Sequence, residues 1–582
     1  MYSNIKSVQI LIALLKEHGI DHIVLTPGNR NVPVIRSVES DPFFHCFSVV
    51  DERSASFFAL GLIHKLQKPV AICCTSGTAL LNFASAVAEA FFQKLPLVVI
   101  SANRDPRALY QNEAQMVPQT EAFGSNIRKV VQLPIVLDSN DEIYCNRIIN
   151  EVILESTHHG FGPVQIDVPM PDNITDFSIA MLPRQRKIVR YEDSSYADFW
   201  LPLIEKLKKR KVLLVLGQYF PLSKEQRLFI DAFVRKFNCV LVTDHLSNYK
   251  GLDNVVENTE LVLQKIQKLV DKSILMPDLV LTVFGNYVTP WSIQNIIKGW
   301  QNVDHWHVDP KGNIVDQFNK LTTVIECDEF VFFRKLSELT EKDADRLQTP
   351  FSEGWQTYSR EIDQPSVEEY SDIYTCGEML RRLPEDSSLH LGNSATLRIA
   401  QLFRIHDSIK IYCNRGTNGI DGSLSSTVGL NSVNANMTFI VIGDLSFFYD
   451  ATALWNNNIN NRLRIMINNN SGAGVLQLSA GKSRGIAGID FTVAEHNKSA
   501  QGWSESMGFK YISAASKEEF DSRIDEFFSS SEKPIVFEAF TSRDQNINLL
   551  KNYQDKCTRV DLNISDVAVK AKRKIQNLFN KF

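Results

Sequence analysis

The sequence predicts an α/β protein built from three doubly wound parallel-sheet domains. Three observations carry that expectation. The chain has 582 residues, too many for one hydrophobic core. Short β-branched, apolar runs alternate with longer helical patterns from end to end, the signature of βαβ units. The polar, chemistry-bearing residues gather just after the apolar runs, at the strand carboxyl ends where open α/β sheets bind ligands. The expected domains are 1–180, 195–345 and 365–560, with a helical tail over 561–582.

Composition narrows the class. An apolar share of 44%, a charged share of 22% and a net charge of −5 describe an ordinary globular chain. They give no reason to expect nucleic acid or an anionic membrane as partner. The run Lys208-Lys209-Arg210-Lys211 reads as a solvated helix end. Nine cysteines in no ligand or disulfide spacing, with Cys73-Cys74 inside an apolar strand, read as reduced thiols in the cytoplasm. Val8 to Leu15 reads as an amphipathic opening helix rather than a signal peptide. No stretch approaches the roughly 18 apolar residues of a membrane span.

In the first domain, His22–Leu25 is a strand ending in Pro27-Gly28-Asn29-Arg30. Cys46–Val50 leads to Asp51-Glu52-Arg53 and a helix from Ser54 to Leu66. Val70–Cys74 ends in Thr75-Ser76-Gly77 before a helix carrying Asn82. Leu97–Ile100 ends in Ser101-Ala102-Asn103-Arg104, and Gln115 lies in the following loop. In the second domain, strands Lys211–Gly217, Cys239–Thr243 and Leu279–Gly285 lack a complete Gly-x-Gly-x-x-Gly, so nucleotide binding is not expected there. His305 and His307 alternate on one strand and read as half-exposed positions rather than a metal pair.

The last domain carries the densest chemistry. A strand from Ser388 ends in Gly392-Asn393-Ser394, with Arg398 one helical turn on. Asn414-Arg415-Gly416-Thr417-Asn418-Gly419-Ile420-Asp421-Gly422 follows, its glycines expected to let the backbone approach a ligand. Thr438–Ile442 ends in Gly443-Asp444-Leu445-Ser446, then a helix is expected from Phe447 to Asn457. Leu463–Ile467 runs into Asn468-Asn469-Asn470-Ser471. Parallel strands joined by a crossover place Asp444 and Asn469 side by side. A carboxylate and an amide oxygen are hard ligands for Mg²⁺, which usually bridges to phosphate. Gly474 to Ser483 has the wrong glycine spacing and context for a phosphate-binding loop. Arg30, Arg104, Arg398 and Arg415 suit carboxylate ligands, which a guanidinium grips with two parallel bonds.

Gly-Asp followed one crossover later by Asn-Asn resembles the signature of the thiamine-diphosphate enzymes. The Pro27, Asp51, Thr75, Asn103 and Asn414 blocks are similar to those of one family among them, the 2-succinyl-5-enolpyruvyl-6-hydroxy-3-cyclohexene-1-carboxylate synthases (MenD) of menaquinone biosynthesis. The resemblance runs nearly end to end. It implies thiamine diphosphate with Mg²⁺, or Mn²⁺ in its place, and a homodimer or homotetramer with interfacial active sites. Glu52 would be catalytic, holding the aminopyrimidine in the tautomer that generates the ylid. Thr75, Ser76, Gly77, Asn82, Gly392, Asn393, Ser394, Gly419, Ile420, Gly443, Asp444, Leu445, Ser446 and Asn469 would bind the cofactor, with Ile420 beneath it. Asp444, Asn469 and the Ser471 carbonyl would hold the metal. Asn29, Arg30, Arg104, Gln115, Ser394, Arg398 and Arg415 would position 2-oxoglutarate and isochorismate. Departures from the family fall at Asn29, in the 286–292 loop and over 471–476. They leave open a related carboligase or 2-oxo-acid decarboxylase with another acceptor.

Overall fold

A computed structural model of the chain describes residues 1–171, 174–188, 197–252, 255–313, 315–340, 348–366, 368–474 and 490–560. Two compact units emerge. One joins Met1–Asp193, Glu369–Ala400 and Ile405–Arg543; the other joins Ser194–Glu368, Gln401–Arg404 and Asp544–Phe582. The expected tail over 561–582 and most of the Gly474–Ser483 segment lie outside the described residues.

The first unit holds two six-stranded sheets. The N-terminal one contains β1 (His22–Leu25), β2 (His45–Ser48), β3 (Val70–Cys74), β4 (Leu97–Asn103), β5 (Lys129–Gln132) and β6 (Val164–Pro169), in the order β2-β1-β3-β4-β6-β5. The second unit's sheet contains β7 (Val212–Leu216), β8 (Cys239–Val242), β9 (Leu279–Val283), β10 (Asp304–Asp309) and β11 (Leu321–Glu326), in the order β11-β10-β9-β7-β8. The third sheet, in the first unit, contains β12 (Ser388–Leu391), β13 (Lys410–Tyr412), β14 (Thr438–Gly443), β15 (Leu463–Asn469), β16 (Lys510–Ala514) and β17 (Ile535–Phe540). Its order is β13-β12-β14-β15-β17-β16. Every strand pairing within the three sheets is parallel.

Renumbered from its own first strand, the C-terminal sheet has the same order as the N-terminal one. In both, the strand order reverses beside the first strand, so crevices open at the carboxyl ends of β1/β3 and β12/β14. The loops 26–30 and 75–77 stand at the first crevice; the loop 392–394 and the strand-to-helix junction 443–446 stand at the second.

The two halves of this unit meet through the Glu52–Leu66 and Ser423–Val433 helices. Asp51 caps the first by accepting from Ser54 N at 2.8 Å, so the helix begins at Glu52 rather than Ser54. The crossing is close enough that a Cβ on Gly61 would lie 1.9 Å from Ser426 O. Ser426 Oγ donates to Phe57 O across it at 3.1 Å.

Three local expectations are corrected. The opening helix, Lys6–Glu17, is buried continuously from Ser7 to Leu15 rather than along one stripe, because neighbouring helices cover it. His305 and His307 are buried, not half-exposed, each ring nitrogen 2.8 Å from Thr282 Oγ1. The helix expected from Phe447 starts at Asp444 and ends at Tyr449, followed by a 3₁₀ turn over Ala451–Leu454. In the second unit, an apolar cluster from Trp200 to Leu336 fills the core. No described helix is long and apolar enough to cross a membrane.

Candidate active site

β14 and β15 pair in register, with Gly443 opposite Asn468, so Asp444 and Asn469 leave adjacent strands at one edge. Strand alternation then sorts the three asparagines. Asn468 and Asn470 turn to the Asp372–Arg381 helix: Asn468 Oδ1 accepts from Thr375 Oγ1 at 3.0 Å, and Asn470 Nδ2 donates to Asp372 Oδ2 at 2.8 Å. Asn469 faces the other way. Its Nδ2 donates to Glu538 Oε1 at 2.8 Å and to Lys498 O at 2.9 Å.

Asp444 is buried, and burial raises its carboxyl above the usual range against the pull of the surrounding N–H groups. Oδ1 accepts from Leu445 N at 2.7 Å and Oδ2 from Gly472 N at 2.9 Å. His496 Nε2 lies 3.2 Å from Oδ2, close enough to pair as a charge but without the alignment of a hydrogen bond. The Ser471 carbonyl is already engaged, accepting from Arg543 Nη1 at 3.2 Å and His496 N at 3.4 Å. Among the predicted ligands, Asp444 and Asn469 therefore offer the readier oxygens. Leu445 is half-buried and Ser446 buried on the helix that follows.

Asn393 organises the other side. Its Nδ2 donates to Asn414 O and, at 2.6 Å, to Gly419 O, while its Oδ1 accepts from the buried Arg415 Nη1 at 3.1 Å. Gly392 N donates to Val441 O at 2.9 Å, seating this turn against β14. Ser394 adopts φ +78 and is half-buried, as is Arg398 on the Ala395–Ala400 helix. The glycines of this loop serve protein contacts: Gly422 sits at φ +74 where a Cβ would strike the Phe57 ring at 2.2 Å. Ile420 is 36% exposed, which excludes ordinary core packing for that side chain.

In the N-terminal half, Arg30 N donates to Thr75 Oγ1 at 3.1 Å and Arg30 Nη1 to Pro171 O at 3.2 Å, while Asn29 stays exposed. Ser76 is buried, with no hydrogen-bond partner for its hydroxyl among the described residues. Gly77 N donates to Gln119 Oε1 at 2.9 Å. Asn82 caps the end of the short Thr78–Leu81 helix rather than riding within a long one. Arg104 pairs with Glu113 at 2.9 Å, and Gln115 is exposed at φ +55. Glu52 is half-buried, and burial together with Asp51 pushes its carboxyl above the usual range. No hydrogen bond joins it to Asp444 or Asn469 among the described residues. Its helix start is tied instead to the far end of the Asp444 helix and the turn after it, by Arg53 Nη2 to Tyr449 O at 2.6 Å and between Ser54 Oγ and Thr452 Oγ1 at 2.9 Å.

Four supporting residues escaped the sequence reading: Glu89, Gln119, His496 and Glu538. Buried Glu89 accepts from Gly416 N at 2.8 Å and from Thr417 N and Oγ1 at 2.7 and 2.6 Å, gripping the Arg415–Ile420 loop. Gln119 spans Gly77 and Asp167. Each lies far in sequence from its partner, so only the buried carboxylate or amide in an amphiphilic context could have hinted at it.

Three all-parallel sheets and a match to a family model together place the chain among the thiamine-pyrophosphate enzymes. Residues 5–122 match the family model described as "Thiamine pyrophosphate enzyme, N-terminal TPP binding domain". The chain is 39% identical to a 2-succinyl-5-enolpyruvyl-6-hydroxy-3-cyclohexene-1-carboxylate synthase of Phocaeicola vulgatus, over 95% of this chain and 98% of that protein. Synthases of the same name from Bacteroides fragilis and Bacteroides thetaiotaomicron are each 37% identical, over 95% of this chain and 99% of theirs. The chain belongs to the 2-succinyl-5-enolpyruvyl-6-hydroxy-3-cyclohexene-1-carboxylate synthase family.

Proposed function

We propose that the protein decarboxylates 2-oxoglutarate and adds the remaining four-carbon unit to isochorismate, with thiamine diphosphate and Mg²⁺, as a step in menaquinone biosynthesis. The observation that carries this reading is the in-register pairing that sets Asp444 beside Asn469 at the carboxyl edge of β14 and β15. The residues fit the cofactor: hard oxygens suit Mg²⁺ on a diphosphate, the buried Ser76 hydroxyl suits a polar ligand atom, and exposed Ile420 suits an apolar ring. When bound, thiamine diphosphate supplies the electron sink that holds the charge left as CO₂ departs.

The chain does the rest. Asp444, Asn469 and the Ser471 carbonyl would hold Mg²⁺. Gly443, Leu445, Ser446 and the Gly392–Ser394 turn cradle the diphosphate end, while Thr75, Ser76, Gly77, Asn82, Gly419 and Ile420 position the rings. Glu52 would hold or release the proton at the cofactor's aminopyrimidine, a task suited to a carboxyl raised by burial. Asn29, Arg30, Arg104, Gln115, Ser394, Arg398 and Arg415 orient substrate carboxylates and hydroxyls. The working unit is a homodimer or homotetramer in which Glu52 serves the neighbouring subunit's cofactor. Nine cysteines without a disulfide suit the cytoplasm.

The test is incubation with 2-oxoglutarate, thiamine diphosphate and Mg²⁺, with and without isochorismate, following CO₂ and the adduct by mass spectrometry. The adduct is expected only with isochorismate present; CO₂ release without any adduct would sink the assignment of acceptor. Glu52→Gln is expected to lower turnover by about 10²–10⁴-fold with saturating cofactor.

A further inference from the structure

We propose that Glu538 is a positioning residue of the cation site: by anchoring the Asn469 amide nitrogen, it commits Asn469 Oδ1 to the metal. The proposal rests on the reading of Asn469 as a Mg²⁺ ligand given above.

Glu538 lies on β17 opposite Ile467 of β15, which puts it on the face that Ile467 and Asn469 share. It is fully buried. Four donors converge on its carboxylate. Oε1 accepts from Asn469 Nδ2 at 2.8 Å, and Oε2 accepts from Ser499 Oγ at 2.7 Å and from Tyr511 OH at 2.6 Å. Ala500 N reaches both oxygens, at 3.1 and 3.0 Å.

The second hydrogen of the Asn469 amide goes to Lys498 O at 2.9 Å. Both amide hydrogens are thus spoken for by acceptors. Turning the amide over would bring Oδ1 against a carboxylate and a carbonyl in a buried setting, where unpaired acceptors are costly. The amide therefore has one orientation. In it, Oδ1 accepts, among the described residues, only from Ser471 N, at 3.2 Å, and a carbonyl oxygen has two lone pairs. The second lone pair is the one left for a hard cation. Asn468 and Asn470 cannot substitute, since the Asp372–Arg381 helix holds both. Partners of this kind, which orient a ligand without touching the metal, typically govern metal affinity about 10- to 100-fold.

The bland alternative is that Glu538 merely ties Ala500 and Tyr511 to the sheet. Metal binding separates the two. Full-length protein is titrated with Mn²⁺ and followed by electron paramagnetic resonance, and with Mg²⁺ at fixed thiamine diphosphate by calorimetry, both without substrate. The variants are Glu538→Gln, Asn469→Asp, their combination, Tyr511→Phe and Asp444→Ala, each checked by thermal melting. Glu538→Gln is expected to weaken metal binding about 10- to 100-fold. Tyr511→Phe, which removes a donor to the same carboxylate but spares Asn469, is expected to stay near wild type. Asn469→Asp alone sets two carboxylates against each other and is expected to bind weakly. Combining it with Glu538→Gln lets the new amide donate to the new carboxylate, and is expected to restore much of the affinity. If Glu538→Gln keeps wild-type affinity while Asp444→Ala loses it, Glu538 has no positioning role. If Asp444→Ala also binds normally, the cation-site reading itself is wrong. Should Glu538→Gln fail to fold, equal affinity of Asn469→Asp and the combined variant would overturn the proposal.

Discussion

Asp450 shows what a single buried carboxyl does to stability. It is fully buried at the start of the Ser423–Val433 helix, where Oδ2 accepts from Ser425 N and Oδ1 from Ser425 Oγ, both at 2.7 Å. Burial outweighs these bonds and pushes its carboxyl up to about 7. A folded-state value above the unfolded one means that the contribution to stability is full in acid and is lost as pH rises through about 7. Asp450→Asn does not titrate there. Melting curves at a series of pH values are expected to show the variant gaining on wild type between about pH 4 and 7; a constant difference would contradict this. Residue types drew attention to Asp444 and Asn469 in the sequence, because hard oxygens at strand ends suit a cation, whereas Glu52 alone reads as a helix-start charge and stood out only through the block that resembles the family's. Asp450, Glu89 and Glu538 were not legible. Their meaning lies in partners 25, 327 and 69 residues away, which only folding brings near.

At the scale of elements, the crossing of the Glu52–Leu66 and Ser423–Val433 helices fixes how the two halves of the first unit meet. Backbone contact at this crossing requires a residue without a Cβ at 61, since any added carbon would fall 1.9 Å from Ser426 O. Gly61→Ala is expected to destabilise by at least about 2 kcal/mol, read as a lower thermal midpoint. Its helix propensity alone would favour alanine, so an unchanged or raised midpoint would mean that the helices separate at little cost. The strands were the easiest elements to read, because a parallel sheet covered on both faces demands unbroken β-branched runs. Helix starts were harder. Glu52 opens a helix behind the Asp51 cap and Asp444 opens one directly from the end of β14, so residues read as strand-end loop are in fact first-turn residues. The opening helix misled in the other direction: Ser7 and Gln9 look solvent-facing, yet both are buried, Gln9 donating from Nε2 to Ser3 O at 2.8 Å.

For the whole molecule, the repeated strand order of the N- and C-terminal sheets makes the first unit two like halves with unlike equipment. One carries Glu52 and the other Asp444 and Asn469, and the reading of a site shared between subunits has a direct test. Glu52→Gln and Asp444→Ala proteins, each inactive, are refolded together. In a two-fold dimer, random mixing makes half the dimers mixed, each with one intact site, so about a quarter of wild-type activity is expected to return. No recovery, with mixed dimers demonstrated by mass spectrometry, would place Glu52 and Asp444 of one chain in the same site. The sequence could reveal the parallel α/β architecture, but not that two sheets share an order, since strand order depends on crossovers that leave no residue signature.

Seven of the nine thiols are buried, and they are spread along the chain: Cys73 and Cys74 in β3, Cys145 in the Ser139–Glu155 helix, Cys239 in β8, Cys376 in the Asp372–Arg381 helix, Cys413 just after β13 and Cys557 at the end of the Arg543–Cys557 helix. Burial pushes Cys73 and Cys145 up to about 12, so these sulfurs stay protonated and slow to react while covered. The protein therefore carries its own set of timers. Under mild denaturant, short pulses of an alkylating reagent followed by peptide mass analysis are expected to modify Cys46 and Cys327 first, the two that are partly exposed. The buried thiols should follow in groups, each group marking the moment its region opens, and the order of those groups would give the sequence in which the sheets come apart.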